Sequence, residues 1–272
     1  MFSPYYAWAR RSGAAAAGEH VALNVALYGR DRRWSMTERG ASAARRDATH
    51  YAIGPSALTW DGNALIVEID EIAAPLPRRI RGRVRVIPRA LVSHTAVLDV
   101  GGAHRWRPIA PTARVEVALS APTLRWQGEG YFDSNEGDEP LAARLRRWHW
   151  SRCALREGTA VLYDVEQRDG ARTALALRFD PRGGVHPFES PAHAALPRSR
   201  WRIERATRSD GAAAQLERTL EDTPFYARSV VSQRLLGESI AAVHESLDLD
   251  RFRAPIVQAM LPFRMPRRSR WP

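Results

Sequence analysis

The chain has 272 residues, 44% hydrophobic and 26% charged, enough to bury a substantial core in one large or two modest domains. Its formal charge of +11 rests on 41 basic residues, all of them arginine. With no helix-turn-helix, zinc-knuckle or RNP-like signature beside it, that excess reads as coding bias, and no nucleic-acid partner is expected. The single cysteine, Cys153, excludes an intrachain disulfide and a cysteine-cluster metal site, and no stretch approaches eighteen apolar residues without a charge, so no transmembrane helix is expected.

From the N-terminus, MFSPYYAWARR is too short in its apolar part for a secretory signal, which leaves a soluble or peripherally membrane-associated protein as the expectation. Apolar and polar residues then alternate with period two over 20–28, 57–69, 79–87, 114–120, 123–132, 159–166, 172–179, 200–206 and 226–231, and these segments read as strands. Asp61-Gly62-Asn63, Arg168-Asp169-Gly170 and the segment Asp180 to Gly184 are the turn signals of hairpins between them. RWHWSRCALR, around Cys153, reads as one more strand with a small buried residue. The clearest helix candidate is 248–260, where Asp248 can cap it, Leu249, Phe252, Ile256 and Val257 form a partial apolar stripe, and Pro255 shortens or bends it. Many short strands with frequent turns point to an all-β sandwich or barrel.

In RRIRGRVRVIPR, 78–89, Arg79, Arg81, Arg83 and Arg85 alternate with Ile80, Val84 and Val86, giving one basic and one buried face. Such a face is either simply solvated or rests on anionic lipid headgroups, as could the tail Arg267, Arg268 and Arg270 beside Trp271.

The stretch most suited to chemistry is GYFDSNEGDEP, 130–140. Tyr131 and Asp133 lie two apart, so on a strand a phenol and a carboxyl share a face; Asp138 and Glu139 follow a Ser134, Asn135, Gly137 turn. A strand ending in a polar turn accounts for the same residues, with Asp133 capping the loop through backbone N–H groups. His104 and Trp106 in GGAHRWRPIAP repeat the two-residue spacing, and Trp148 and Trp150 in RRWHWSR also share a face, either as core or as the wall of an apolar cavity. His244 and Glu245 in VHESL are adjacent and point to opposite faces of a strand, so they are no metal pair. Glu38 in WSMTERG and Tyr226 in FYARS have no evident chemical role. No nucleotide-binding glycine fingerprint, Ser-His-Asp pattern or zinc-ligand cluster is present, so neither cofactor nor metal is inferred.

Taken in order, FSPYYAWAR, ALNVALYG, WSMTERG, GGAHRWRPIAP, GYFDSNEGDEP, RRWHWSR, FYARS and VHESLDLDRFRAPIVQAMLPFRMPR span nearly the whole chain. In these segments it resembles the carotenoid 1,2-hydratases, or hydroxyneurosporene synthases, which add water to the terminal C1–C2 double bond of an acyclic carotenoid. The resemblance implies two lipocalin-like antiparallel β-barrel or sandwich halves, expected at 1–122 and 123–272, with one short C-terminal helix. Family members carry residues ahead of the FSPYY segment, including a Trp-rich first strand, so either the start of this sequence is misassigned or an edge of the first sheet is missing.

By the same resemblance His104, Trp106, Tyr131 and Asp133 answer to the family's catalytic set. Acid hydration of an alkene needs a carboxylic acid kept protonated by burial and aromatic faces to stabilise a tertiary cation. Asp133 is the expected proton donor, Trp106 and Tyr131 the cation lining, His104 a hydrogen-bond partner of the acid or of the water, and Trp148 and Trp150 contacts to the polyene. Cofactor-independent hydration of a neurosporene- or lycopene-type carotenoid is therefore the leading expectation. A carotenoid- or lipid-binding protein without catalysis is the main alternative, and a glycosidase using Asp133 with Asp138 is a further one.

Overall fold

In the computed structural model, which describes residues 2–13, 15–211 and 213–268, the chain forms two compact units. One comprises residues up to 88 with 114–130 and 258 onward; the other comprises 89–113 and 131–257. The basic tail read at Arg270 and Trp271 lies outside the described residues.

A short helix, α1 (Pro4–Arg11), opens the first unit, with the Ser3 side chain accepting from Tyr6 N at 2.8 Å and Pro4 at the first helical position. Strands β1 (Asn24–Leu27), β2 (Arg33–Met36), β3 (Glu38–Arg39), β4 (Ala44–Arg46), β5 (His50–Ile53), β6 (Ser56–Trp60), β7 (Leu65–Ile72) and β8 (Arg79–Pro88) follow. After β9 (Ala96–Val97) come two long strands, β10 (His104–Ala121) and β11 (Thr123–Gly137). The distal halves of these two belong to the first unit, where the sheet order is β11-β10-β8-β7-β6-β5-β4. Ile69, Ile80, Val117 and Leu119 form its core, with Val25 and Val67 packed on them. On the other face of β8, Arg79, Arg83 and Arg85 pair with Asp70, Glu68 and Glu116. The basic strand is thus largely neutralised by acids on its neighbours, the solvated-face reading of that alternation.

In the second unit β12 (Leu145–Leu155), β13 (Gly158–Gln167), β14 (Arg172–Phe179) and β15 (Val185–Pro187) precede the two-stranded ribbon β16 (His193–Leu196) and β17 (Arg205–Arg208). Strands β18 (Gln215–Asp222), β19 (Tyr226–Leu235) and β20 (Glu238–Asp248) complete a sheet of order β15-β14-β13-β12-β20-β19-β18. The hairpins read at 61–63, 168–170 and 180–184 are present: Asp61 Oδ1 accepts from the N–H groups of Asn63 and Ala64, and Gly170 and Gly183 take φ values of 90°. Helix α2 (Leu141–Arg144) precedes β12, and α3 (Leu249–Arg253) starts at Asp248, whose side chain accepts from Arg251 N at 3.0 Å. Pro255 ends that turn and opens α4 (Pro255–Met260). Ile256, placed on the apolar stripe from sequence, is instead 69% exposed, because the break at Ala254 and Pro255 rotates it off the buried face that holds Leu249, Phe252 and Val257.

The all-β, largely antiparallel expectation holds. Among the described residues neither large sheet closes into a barrel. Each ends in polar edge strands, β4 with Arg45 and Arg46 exposed and β18 with Glu217 and Arg218 exposed, which blunt further pairing. Two strand readings shift. The segment 20–28 forms a strand over 24–27, with Val21 making an isolated bridge to Arg39, and 200–206 begins as a turn, closed by Arg202 N to Ser199 O at 2.8 Å, before β17 starts at Arg205. Pro122 lies in the connection between β10 and β11.

Candidate active site

Period-two geometry assembles the site. At the start of β10 the alternation buries His104 and Trp106 and leaves Arg107 exposed; at the end of β11 it puts Tyr131 and Asp133 on one face. Trp106 Nε1 donates to Asp133 Oδ2 at 2.7 Å, and the Tyr131 hydroxyl donates to the same oxygen at 2.9 Å. Both donors converge on one lone-pair region, and Oδ1 receives no side-chain hydrogen bond among the described residues. Among the described residues no arginine is hydrogen-bonded to the group. Desolvation pushes the Asp133 carboxyl up, the two hydrogen bonds pull it down, and the charge of Glu245 adds to the upward push. Desolvation is the largest of these influences, and the net displacement is upward. Tyr131 is driven well above an ordinary phenol by desolvation and by the Asp133 charge, so it serves as a donor only.

Aromatic rings enclose this acid. Trp106, with no exposed surface, meets Tyr163 edge-on at 5.9 Å and Phe179 at 6.2 Å between ring centroids. Trp148 meets Tyr163 at 6.2 Å, and Trp150 lies tilted against Tyr131 at 5.4 Å. The floor is one face of the second-unit sheet, where register sets Tyr163 of β13, Trp150 of β12, Glu245 of β20 and Arg228 of β19 in a single row. The Tyr163 hydroxyl donates to Asn135 Oδ1 at 3.3 Å, which ties that floor to the 130–140 loop.

His104 has different partners. Its Nδ1 lies 2.9 Å from Asp99 Oδ2 and its Nε2 lies 3.3 Å from the Glu139 carbonyl, and both side chains are essentially inaccessible. Burial works to raise Asp99, but hydrogen bonds from the His104 side chain and backbone hold it below the usual carboxylate range. Ligand-type atoms of Asp99, His104 and Glu139 lie within 4.8 Å of one another, a metal-like grouping the sequence did not suggest. Arg144 supplies the positive charge there, 2.8 Å from Glu139 Oε1 and 3.6 Å from Asp99 Oδ2. Asp138 is exposed and clamped at both oxygens by Arg105 at 2.9 Å, which lowers its pKa. It is a poor second carboxylate for glycoside hydrolysis.

The opposite face of the same sheet carries a buried polar layer under the β16–β17 ribbon. Ser151 Oγ contacts His244 Nδ1 at 2.8 Å and Thr207 Oγ1 at 3.0 Å, and Ser246 Oγ bridges His244 Nε2 and His149 Nδ1. Burial depresses His149 to about 4 and His244 to about 3. Glu245 and His244 therefore serve different faces, as their adjacency on a strand requires.

The family model described as carotenoid hydratase CrtC matches residues 1–272. The chain belongs to the carotenoid hydratase family. Acyclic carotenoid 1,2-hydratase from Thiocapsa roseopersicina is 54% identical over 270 residues, covering 98% of this chain and 67% of that protein. Its counterpart from Cereibacter sphaeroides is 41% identical over 273 residues, covering 100% and 96%. Among solved structures, the AttH-designated protein of Nitrosomonas europaea superposes with a TM-score of 0.55 at 13% identity over 79% of this chain and 75% of that one, a likeness of fold.

Of the residues read from sequence for this carotenoid hydratase, the structure brings Trp106, Tyr131 and Asp133 into direct contact, with Trp150 against Tyr131 and Trp148 one ring further away. His104 reaches the group only through the strand it shares with Trp106. Sequence reasoning did not include Tyr163, Phe179 or Glu245 in the site. Their alternation was legible, but nothing in one sequence states which strands lie side by side.

Proposed function

We propose that this chain hydrates the terminal C1–C2 double bond of an acyclic carotenoid by acid protonation, without a cofactor. The observation carrying the proposal is a desolvated carboxyl, Asp133, that receives two neutral donors on one oxygen and is walled by aromatic rings. Asp133 Oδ1 delivers its proton to C2. The π pair forms the new C–H bond and leaves a tertiary cation at C1, facing the ring systems of Tyr131 and Trp106. As the carboxylate forms, the Trp106 and Tyr131 donors strengthen on Oδ2, so they stabilise the transition state more than the ground state. Water then adds at C1. His104, locked to Asp99, acts as a positioning residue that fixes this end of β10 and with it Trp106. Trp148 and Trp150 continue the aromatic wall as polyene contacts.

No helix among the described residues is long and apolar enough to cross a membrane. Peripheral contact with an anionic membrane surface belongs to the same proposal, supported by Phe263, 79% exposed, with exposed Arg268 following in the chain. Incubating the purified protein with lycopene in liposomes, anaerobically and without added cofactor, should give a product heavier by the mass of one water. Asp133→Asn should abolish it while leaving carotenoid binding intact. A hydrated product formed equally well by Asp133→Asn would refute the assignment, and binding without product by the unaltered protein would favour a carrier.

A further inference from the structure

Two features of the sheet floor are unused by the proton-delivery step. The indole N–H of Trp150 is buried and has no hydrogen-bond partner among the described residues, although the ring lies 5.4 Å from that of Tyr131. A buried donor left unsatisfied costs about 1–3 kcal/mol, which makes such a group a candidate for a reaction component. Next to Trp150 across the β12–β20 register stands Glu245, only 18% exposed at its side chain. Arg228 Nε donates to Glu245 Oε1 at 2.9 Å and Arg228 Nη2 donates to the same oxygen at 2.5 Å, so this ion pair is made through Oε1 and not Oε2. The Arg228 guanidinium in turn stands 5.7 Å from the Tyr226 ring centroid. Tyr226 and Arg228 both come from FYARS and Glu245 from VHESL, segments left without a role above.

We infer that Trp150 Nε1 and Glu245 Oε2 hold the water that becomes the product hydroxyl, with Glu245 as its general base. This rests on the Asp133 reading and completes it. A bound water needs two to four polar partners, and a donor beside a carboxylate oxygen supplies them with the polarity that leaves a lone pair for carbon. Trp150 stands between Tyr163 and Glu245 in the strand register, and the charges of Asp133 and Glu245 both act on the Tyr163 phenol. The steps balance. Asp133 gives one proton to C2; the water oxygen forms the C1–O bond; Glu245 takes one proton from the resulting oxonium and releases it to solvent while Asp133 is reprotonated. One water is consumed and no electron is transferred. Separate groups for giving and taking the proton let attack follow at once, before the cation can return its proton to the Asp133 carboxylate.

Partitioning of the cation in deuterated water tests this. A cation that forms but is not captured loses a proton and returns as carotenoid carrying deuterium without hydration. Glu245→Gln should raise the ratio of deuterium-exchanged, unhydrated carotenoid to hydrated product on the order of 100-fold, and Trp150→Phe roughly 10-fold. The ratio is read per turnover, so partial misfolding does not mimic it. An unchanged ratio in both variants overturns the inference. So does loss of exchange together with hydration in a variant that melts like the unaltered protein, because the residues would then serve the acid and not the water. Should one variant fail to melt as native, the other decides. Failure of the underlying reading looks different: Asp133→Asn would then exchange and hydrate as the unaltered protein does.

Discussion

Replacing Trp106 by Phe removes one atom group from the proposed acid while keeping a ring against Tyr163 and Phe179. The indole N–H lies 2.7 Å from Asp133 Oδ2, a short bond to an acceptor that becomes charged as the proton leaves. Bonds of this kind contribute ~1.5–3 kcal/mol, so without the donor both the ionisation equilibrium and the protonation step should be disfavoured by roughly 10- to 150-fold. The competent form of Asp133 is protonated, and its folded-state pKa is raised by desolvation, so activity is present at low pH and declines as pH rises through that value. Deleting a donor that lowers the pKa moves the decline to higher pH. Trp106→Phe should therefore show two opposite effects in one profile of kcat/KM against pH with liposomal lycopene: a lower plateau and a limb displaced toward alkali. Tyr131→Phe should act in the same direction, and the pair should not add, because both donors share Oδ2. A plateau unchanged, or a limb displaced toward acid, would show that the carboxylate is not what these donors stabilise.

Other consequences are independent of catalysis. Asp133→Asn should raise the melting temperature at pH 8 more than at pH 4, since a group with a raised folded pKa destabilises the fold only where it is forced to ionise. His149 and His244, depressed to about 4 and about 3, are neutral in the fold and protonate near 6.5 when unfolded, so their contribution is intact above pH 6.5 and is lost as pH falls toward 3. Urea melts should weaken by up to ~1.4 kcal/mol per pH unit for each histidine, and His244→Gln should flatten the slope. Cys153, fully buried with its thiol pushed up to about 12, should resist a thiol reagent until the protein unfolds; labelling of the native protein at the rate of a free thiol would contradict that burial. Gly137→Ala would place a methyl 2.8 Å from His104 Cδ2 and should lower both the melting temperature and activity, by ~1–3 kcal/mol in stability.

Much of the fold was legible because strands advertise themselves every second residue. The 172–179 strand and the hairpin at Asp61-Gly62-Asn63 are found where alternation and turn chemistry put them. The contact between Tyr131 and Asp133 needed only their spacing. What the sequence left unsaid is lateral order. Trp106 reaches Asp133 because β10 and β11 are neighbours, and Glu245 joins Trp150 because β20 pairs with β12 across almost a hundred residues of chain. His104 shows the same limit in reverse: the two-residue spacing puts it on one face with Trp106, but Asp99, five residues upstream, captures its Nδ1 in place of the acid or water expected from sequence. The helix α1 went unread although Ser3-Pro4 is a recognisable start, since its arginines and aromatics give no clean apolar stripe.

The geometry also explains why the acid is not placed deeper. A carboxyl with no donors would be easier to keep protonated but would form a costly bare anion on giving up its proton to a weakly basic alkene. One clamped by arginine would form that anion readily and be ionised beforehand, as Asp138 is under Arg105. Two neutral donors on a single oxygen lie between these extremes. They leave the other oxygen to carry the proton, they bring no charge that would repel a cation, and the rings that supply them also face the cation. Tryptophan and tyrosine are the side chains that combine a hydrogen-bond donor with a π-face, which is why an aromatic pair next to one carboxyl suits protonation of a hydrocarbon better than a second acid or a base would. The base belongs further off, across Trp150, where Glu245 can take up a proton without competing for the one on Asp133.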